Sequence, residues 1–384
     1  MYDKIKYTIT ANVPGTMCNL RCDYCYISSC VDESHLIKPE YDFSLETMIK
    51  AFSPKRLKGL AEITVISGGE TLIDNTIIPF IHGLLKQGHV VSVVTNLTLN
   101  EKIDQLLDLP QEYLKRLIVK GSLHWLELKR LNKIDDYFNN MNKVLAKGAS
   151  SYPFLVVSDS YMPYLDEIKQ VCMEKIGAMP HCTPSIVFEE KDDIKRDGKL
   201  KTSPECTPEF VNKINEQFNS DIFRISTKLL DVNVKDIFCY AGEWSFCVDL
   251  RSGAMVKCHA CKPEANFYKD LKRLPKLLPI GNNCQIATCA LQYNFVAEGL
   301  IPEIADVKSF GQILDRPELI NEEVRKLLDF KYTDFKKQYS INKQKKISEK
   351  VAKIFAAKRI GLKSKIGLAV YNYLKAKLEK KGLI

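Results

Sequence analysis

Three cysteines stand close together near the amino terminus, in the run Cys18-Asn-Leu-Arg-Cys22-Asp-Tyr-Cys25. A CxxxCxxC spacing lets three thiolates converge on one iron-sulfur cluster, and a cluster held by only three protein sulfurs keeps one iron open to a further ligand. Structural zinc is the competing reading, but it asks for a closed set of four ligands and favours CxxC pairs. His35 is the nearest imidazole. Six more cysteines, at 239, 247, 258, 261, 284 and 289, fall between Phe238 and Pro302 amid Gly242, Gly253 and Gly281. A segment that short owns no large apolar core, so metal is its natural staple.

The elements that must position these thiols are legible as an alternation. Short β-branched runs at Tyr7 to Asn12, Glu62 to Ser67, Val90 to Thr95, Arg116 to Lys120, Phe154 to Val157 and Pro184 to Phe188 read as strands. Amphipathic stretches between them, Asn75 to Lys86, Glu101 to Leu109, Glu127 to Lys147 and Pro163 to Ile176, read as helices. Six such repeats imply an α/β fold with a parallel sheet and helices outside it, either doubly wound or a partial barrel. Ligands then belong at the carboxyl ends of the strands, where Cys18 follows the first one. Thr207-Pro208-Glu209 reads as a helix start, with a helix toward Asn219 closing the first unit.

The spacing of Cys18, Cys22 and Cys25, with aromatic Tyr24 before the third, resembles the signature of the radical SAM superfamily. The resemblance implies a partial (β/α)6 TIM-type barrel and a 4Fe-4S cluster on these three cysteines. The unique iron of that cluster chelates the amino and carboxylate groups of S-adenosylmethionine (SAM). Reductive cleavage of SAM then gives a 5'-deoxyadenosyl radical that abstracts hydrogen from substrate. Tyr24 would border the adenine. Gly68-Gly69-Glu70 after the second strand resembles the family's GGE motif for the methionyl amino group. Asn96, after Thr95, resembles its TN segment, and Ser122, before Leu123 and His124, falls where a polar residue contacts the ribose or carboxylate.

The resemblance extends to the later cysteines. Cys239-Tyr-Ala-Gly242, Gly253 and Cys258 are similar to the opening half of twitch and SPASM domains, and Ile280-Gly281-Asn282 to the turn that follows. It implies one auxiliary 4Fe-4S cluster on Cys239, Cys258, Cys284 and Cys289. Cys261 competes for a ligand place, because Cys258-His-Ala-Cys261 is itself a CxxC. Cys30, Cys172, Cys182, Cys206, Cys247 and, outside that competition, Cys261 read as buried small hydrophobes. The expected organisation is residues 1–235 for the barrel, 236–302 for the cysteine-rich domain and 303–384 for a helical carboxyl-terminal region.

The 384 residues, 45% apolar and 27% charged, exclude a disordered or collagen-like chain. From Ile341 onward thirteen Lys and Arg face Glu349 and Glu379, a local charge of +11, so the first 340 residues carry −2 of the overall +9. A nucleic-acid-binding face, which needs basic residues spread over a folded surface, is disfavoured. Ile347, Val351, Ile354 and Phe355, then Ile366, Val370, Leu374 and Leu378, form apolar stripes with lysines on the other faces. Such a basic amphipathic tail suits an anionic membrane surface or packing on the protein's own body.

No apolar run reaches the ~18 residues of a membrane span and no secretory signal is evident, so the expected location is cytoplasmic, with peripheral contact at the inner membrane face. With 17 residues before Cys18, the expectation is that no separate peptide-recognition domain precedes the cluster loop. The expected substrate is a small molecule or glycan, such as a phosphate-bearing sugar, dehydrogenated or epimerised with electrons from a flavodoxin or ferredoxin. A ribosomal-peptide maturase and a zinc-stabilised, membrane-recruited binding protein are the alternatives. Asp249, Glu243, Tyr240 and His124 are candidate proton acceptors, none of them assigned.

Overall fold

The computed structural model describes residues 4–25, 27, 36–187, 201–289 and 293–361, with side chains as far as 356. Cys30, His35, Phe188 and the stripe Ile366, Val370, Leu374 and Leu378 lie outside the described residues. Strands β1 (Ile5–Val13), β2 (Leu60–Ser67), β3 (Val90–Thr95), β4 (Leu117–Ser122), β5 (Ser150–Val157) and β6 (His181–Pro184) pair in sequence order, each parallel to the next. The sequential order makes this the partial TIM-type barrel that the resemblance implies, one of the two arrangements the alternation allows. β7 (Ile186–Val187) and β8 (Lys201–Thr202) form a separate antiparallel pair, so the sixth strand starts and ends earlier than its sequence run.

A further strand, β9 (Ser245–Asp249), lies parallel to the free edge of β1, and β10 (Ala254–Val256) and β11 (Ala265–Asn266) extend the sheet antiparallel to it. The cysteine-rich segment thus joins the barrel wall by backbone pairing.

Each strand presents two chemically different faces. Ile9, Ala11, Ile63, Val65, Val91, Val93 and Val119 are fully buried in one core with Phe52, Phe80, Leu84, Ile103, Tyr137 and Met141 of the outer elements. The alternate residues face inward and are polar: Thr8, Thr10 and Asn12 on β1, Glu62 and Thr64 on β2, Ser92 on β3, Lys120 and Ser122 on β4. Thr10 registers with Thr64 and Thr64 with Ser92, a row of hydroxyls across three strands.

Helices Ile77–Lys86, Asn100–Leu106, Leu165–Ile176 and Pro208–Phe218 match their sequence patterns. Thr207 caps the last through its side chain, and Asn219 ends it at φ 46°. The stretch Glu127 to Lys147 is instead two helices, Trp125–Arg130 and Ile134–Ala146, broken where Asn132 takes φ 54°. That break lets the first helix stop under the site while the second packs along β4 and β5.

The amino-terminal end of the barrel is plugged by residues of the cysteine-rich segment and of the carboxyl-terminal region. Thr8 donates to Glu298 at 2.7 Å and lies 3.0 Å from the Tyr332 hydroxyl, and Tyr240 stacks on Trp244 at 3.7 Å with Tyr339 against it. The helix Ile341–Gly361 lays its apolar stripe on the cysteine-rich segment: Ile347, Val351 and Ile354 are buried. Ser348 meets Asn282 through its hydroxyl, accepting from the backbone N–H at 3.1 Å and donating to Oδ1 at 2.9 Å. This half of the tail therefore packs on the protein itself.

His89 gives the barrel a measurable acid sensitivity. It is fully buried, accepts the Ala61 N–H on Nδ1 at 3.0 Å and faces the Phe52 carbonyl with Nε2 at 2.8 Å, partners that only the neutral ring serves together. Burial lowers its pKa to about 4. The unfolded ring titrates near pH ~6.5, so on acidification the unfolded state takes the proton first and stability is lost as the pH falls from there toward the folded value. The expected loss from this ring at about pH 5 is ~2 kcal/mol. Urea unfolding at neutral pH and at about pH 5 should show it in the wild type, and His89→Gln should lack that share.

Candidate functional site

The cysteine loop leaves the carboxyl end of β1 and is fixed from three sides. Behind it, Glu70 donates its N–H to the Met17 carbonyl at 2.9 Å. A Cβ on Gly69 would fall 2.1 Å from that same oxygen and 2.5 Å from the Thr16 carbonyl, so only glycine lets the turn lie flat on the loop. Beside it, Asn96 donates to Asn19 at 2.8 Å, and Asn19 donates to Thr98 at 2.8 Å, while Thr98 folds back onto Asn96 at 2.6 Å. Below it, the Arg21 N–H donates to Glu127 at 3.0 Å. Two parallel Arg130 bonds of 2.9 Å hold that carboxylate in place and keep its pKa below the usual range.

Cys18, Cys22 and Cys25 are all free and half-buried. Burial pushes Cys18 up to about 11 and Cys22 higher, and each of these sulfurs also senses Cys25. Three thiols that repel one another's negative charge, with Glu70, Glu127 and Asp23 adding to that repulsion and only Arg21 opposing it at Cys18, form a donor set suited to a multivalent cationic cluster. Among the described residues, no three His, Cys, Asp or Glu side chains close in to the distances that a single ion requires; a tetrahedral zinc set draws its sulfurs to ~2.3 Å from one centre.

Around this loop the structure places the other sequence-derived residues. Glu70 is buried and its carboxylate is spent internally: Oε1 accepts from the Leu72 N–H at 2.9 Å and Thr95 at 2.7 Å, and Oε2 from the Asn96 N–H at 2.7 Å. Burial raises its pKa against those three bonds. Tyr24 packs edge-on against Tyr161, with ring centroids 5.3 Å apart, and its hydroxyl lies 2.7 Å from His124 Nδ1. Burial holds His124 neutral, at about 4. Ser122 ends β4 on the inward face, half-buried, next to the Phe154 register position.

In the later segment, Cys239 and Gly281 exchange backbone hydrogen bonds of 3.2 and 3.1 Å, so the CYAG and GN turns form one unit. Burial dominates every thiol shift there, and the sulfurs add to it mutually. Cys239 senses Cys258 and Cys284; Cys258 senses Cys284; Cys289 senses Cys258, Cys239 and Cys284. Cys261 belongs to the same group, sensing Cys258 and Cys284. Cys172 and Cys182 are buried in the barrel core, Cys247 is buried beside the group, where Cys258 senses it and its sulfur lies 3.9 Å from His259 Nε2, and Cys206 is half-buried.

The candidate proton acceptors separate by position. Glu243 accepts from the Tyr339 hydroxyl at 2.6 Å, and Tyr240 accepts from the Tyr339 N–H at 2.7 Å; both precede β9 and lie at the plugged end. Asp249 ends β9 beside Asn12, at the same end as the cysteine loop, with Ser252 bonded to its Oδ1. Asn19, Thr98, Glu127 and Arg130 are site residues that the sequence reading did not single out. The only local signal for them is the Glu127-Arg130 pair at helical spacing just after a strand end.

Residues 12–119 match the Radical SAM superfamily. No curated protein matches the chain. Among solved structures, SuiB of Streptococcus suis bound to S-adenosylmethionine is 13% identical over 70% of this chain and 62% of its own, at a TM-score of 0.45. SuiB bound to precursor peptide SuiA is 14% identical over 70% and 63%, at 0.46. Native anSMEcpe with bound AdoMet is 16% identical over 82% and 88%, at 0.45. The chain spans less than two thirds of the length of SuiB. Radical SAM proteins use a 4Fe-4S cluster and SAM, and the matched residues contain the cysteine loop, the glycine turn that seals it and Asn96. The chain therefore carries a radical SAM domain.

Proposed function

We propose that the protein is a radical SAM oxidoreductase or epimerase acting on a carbohydrate or phosphate-bearing sugar. The observation that carries the reading is the seating of Gly69 and Glu70 directly on the backbone of the cysteine loop. When bound and reduced, the cluster supplies the electron that turns SAM into a hydrogen-abstracting radical. Cys18, Cys22 and Cys25 hold the cluster. With the Glu70 carboxylate occupied, the backbone of Gly68 and Gly69 meets the methionyl ammonium, while Asn96 and Ser122 flank the nucleoside and Tyr24 borders the adenine.

The chain's remaining task is to orient substrate and exclude water. The inward row of Thr10, Thr64 and Ser92 with Asn12 and Ser122 offers the small hydrogen-bonding groups that a polyhydroxylated ligand needs. The plugged amino-terminal end leaves entry to the carboxyl end. Asp249 and His124 are the acceptors within that end.

Residues 236–302, between a barrel unit of 1–235 and a helical region of 303–384, hold one auxiliary 4Fe-4S cluster on Cys239, Cys258, Cys284 and Cys289, whose sulfurs interact in all six pairings. The electron donor is a flavodoxin or ferredoxin in a cytoplasmic setting. No described helix is long and apolar enough to cross a membrane, and since the stripe at Ile347, Val351 and Ile354 is used internally, peripheral membrane contact falls to residues beyond 361.

Product analysis under anaerobic, reducing conditions tests the substrate class. Sugars or sugar phosphates should stimulate 5'-deoxyadenosine formation and either lose two hydrogens or exchange one with solvent deuterium. Turnover of peptides alone would overturn it.

A further inference from the structure

On the inward face of the barrel stands a cation met by aromatic rings rather than by a carboxylate. Lys120 lies on the inward face of β4, one inward position below Ser122. Its Nζ stands 3.4 Å from the centroid of the Phe154 ring and 5.6 Å from that of Tyr293, and donates to the Tyr293 hydroxyl at 3.2 Å. Phe154 and Tyr293 are themselves buried and stacked. Among the described residues no carboxylate lies within ion-pair distance of Lys120, and His181, the other titratable group that senses it, is held neutral by burial.

An ammonium has three N–H donors. Here one goes to a phenol and the charge is otherwise met by ring faces, which attract a cation but accept no strong hydrogen bond. The contrast within the molecule is Lys257, fully buried and set 3.3 Å from Glu264. An unmatched buried charge is costly; Lys336, set 4.1 Å over the Tyr332 ring in the plugged end, meets the backbone carbonyl of Lys6 instead. Lys120 is half-buried and, among the described residues, has no carboxylate at ion-pair distance. Burial without a counter-ion lowers its pKa to about 7, the condition that an arriving anion relieves.

We infer that Lys120, caged by Phe154 and Tyr293, anchors an anionic group of the substrate, a phosphate or a carboxylate, within the barrel lumen. This rests on reading the lumen as the substrate site, and it narrows the substrate class to anionic molecules. The position is one inward step below Ser122, so the anion sits deeper in the barrel than the cofactor and holds the rest of the substrate toward the carboxyl end.

The test is calorimetric titration of inorganic phosphate, and separately of acetate, into anaerobic, cluster-loaded, SAM-saturated protein at constant ionic strength. Wild type should take up one anion with millimolar affinity, Lys120→Arg should retain it within about threefold, and Lys120→Met should weaken it at least tenfold. The preferred anion separates phosphate-bearing from carboxylate-bearing substrates. Equal binding by wild type and Lys120→Met, no binding by wild type, or binding seen only without SAM would overturn the inference, the last by assigning Lys120 to the cofactor's carboxylate. Should Lys120→Met not fold, wild-type acetylation by an N-hydroxysuccinimide ester decides: phosphate should slow labelling of Lys120 about fivefold or more, and an unchanged rate overturns it. Wild-type 5'-deoxyadenosine formation is scored separately, so failure of the radical reading is distinguishable from failure of the anion site.

Discussion

Replacing Cys18, Cys22 and Cys25 together by alanine should reduce 5'-deoxyadenosine formation to the level of protein-free controls while leaving an iron-sulfur signal in electron paramagnetic resonance. The two cysteine groups sit on different elements, one on the loop after β1 and one around the Cys239-Gly281 pairing. Each set of thiols senses sulfurs of its own group. Removing the first set deletes the donors of one cluster without touching the backbone that fixes the other. Iron content should fall by about half, as four of eight irons are lost with one 4Fe-4S unit. Loss of all iron would contradict two separate centres, and full retention of SAM cleavage would contradict the assignment of the first.

Gly69→Ala should be nearly as damaging although it removes no ligand. The added methyl would meet two backbone carbonyls, of Met17 and Thr16, at 2.1 and 2.5 Å, and backbone cannot swing aside as a side chain does. The glycine turn must lift from the cysteine loop, and the Glu70-to-Met17 hydrogen bond breaks with it. A shift of about 1 Å between cluster and cofactor should cost ~100-fold or more in SAM cleavage. Gly68→Ala is the internal control. Its methyl would approach the Thr16 side chain at 3.3 Å, a contact that a small rotation relieves, so its effect should stay within about tenfold. Equal behaviour of the two variants would show that the turn does not position the site.

The parts of this site that were legible in sequence are those written locally. The CxxxCxxC run places three sulfurs on one loop within eight residues, and Val90–Thr95 is a strand from its own β-branched residues. The strand β5 begins at Ser150, before its expected start, because Pro153 within it argues against a strand; the parallel pairing with Gly121 overrides that local signal. What stayed hidden depends on distant partners. Thr8 bonds Glu298 across 290 positions, and Asn96 reaches Asn19 across 77. The stripe Ile347, Val351 and Ile354 was visible as amphipathic, but the surface it covers, around Asn282 and Asn283, is set by packing alone. Glu70 shows the same limit: its type suggests an ammonium acceptor, whereas three internal donors already occupy it.

The most direct measurement of the central claim is the electron paramagnetic resonance spectrum of anaerobic, dithionite-reduced wild-type protein recorded with and without SAM. An open iron beside the Gly69 turn predicts that SAM alters the signal of one cluster, that the Cys18, Cys22 and Cys25 triple variant lacks this altered component, and that the other cluster is indifferent. A spectrum unchanged by SAM, or colourless protein carrying zinc in place of iron, would contradict the account.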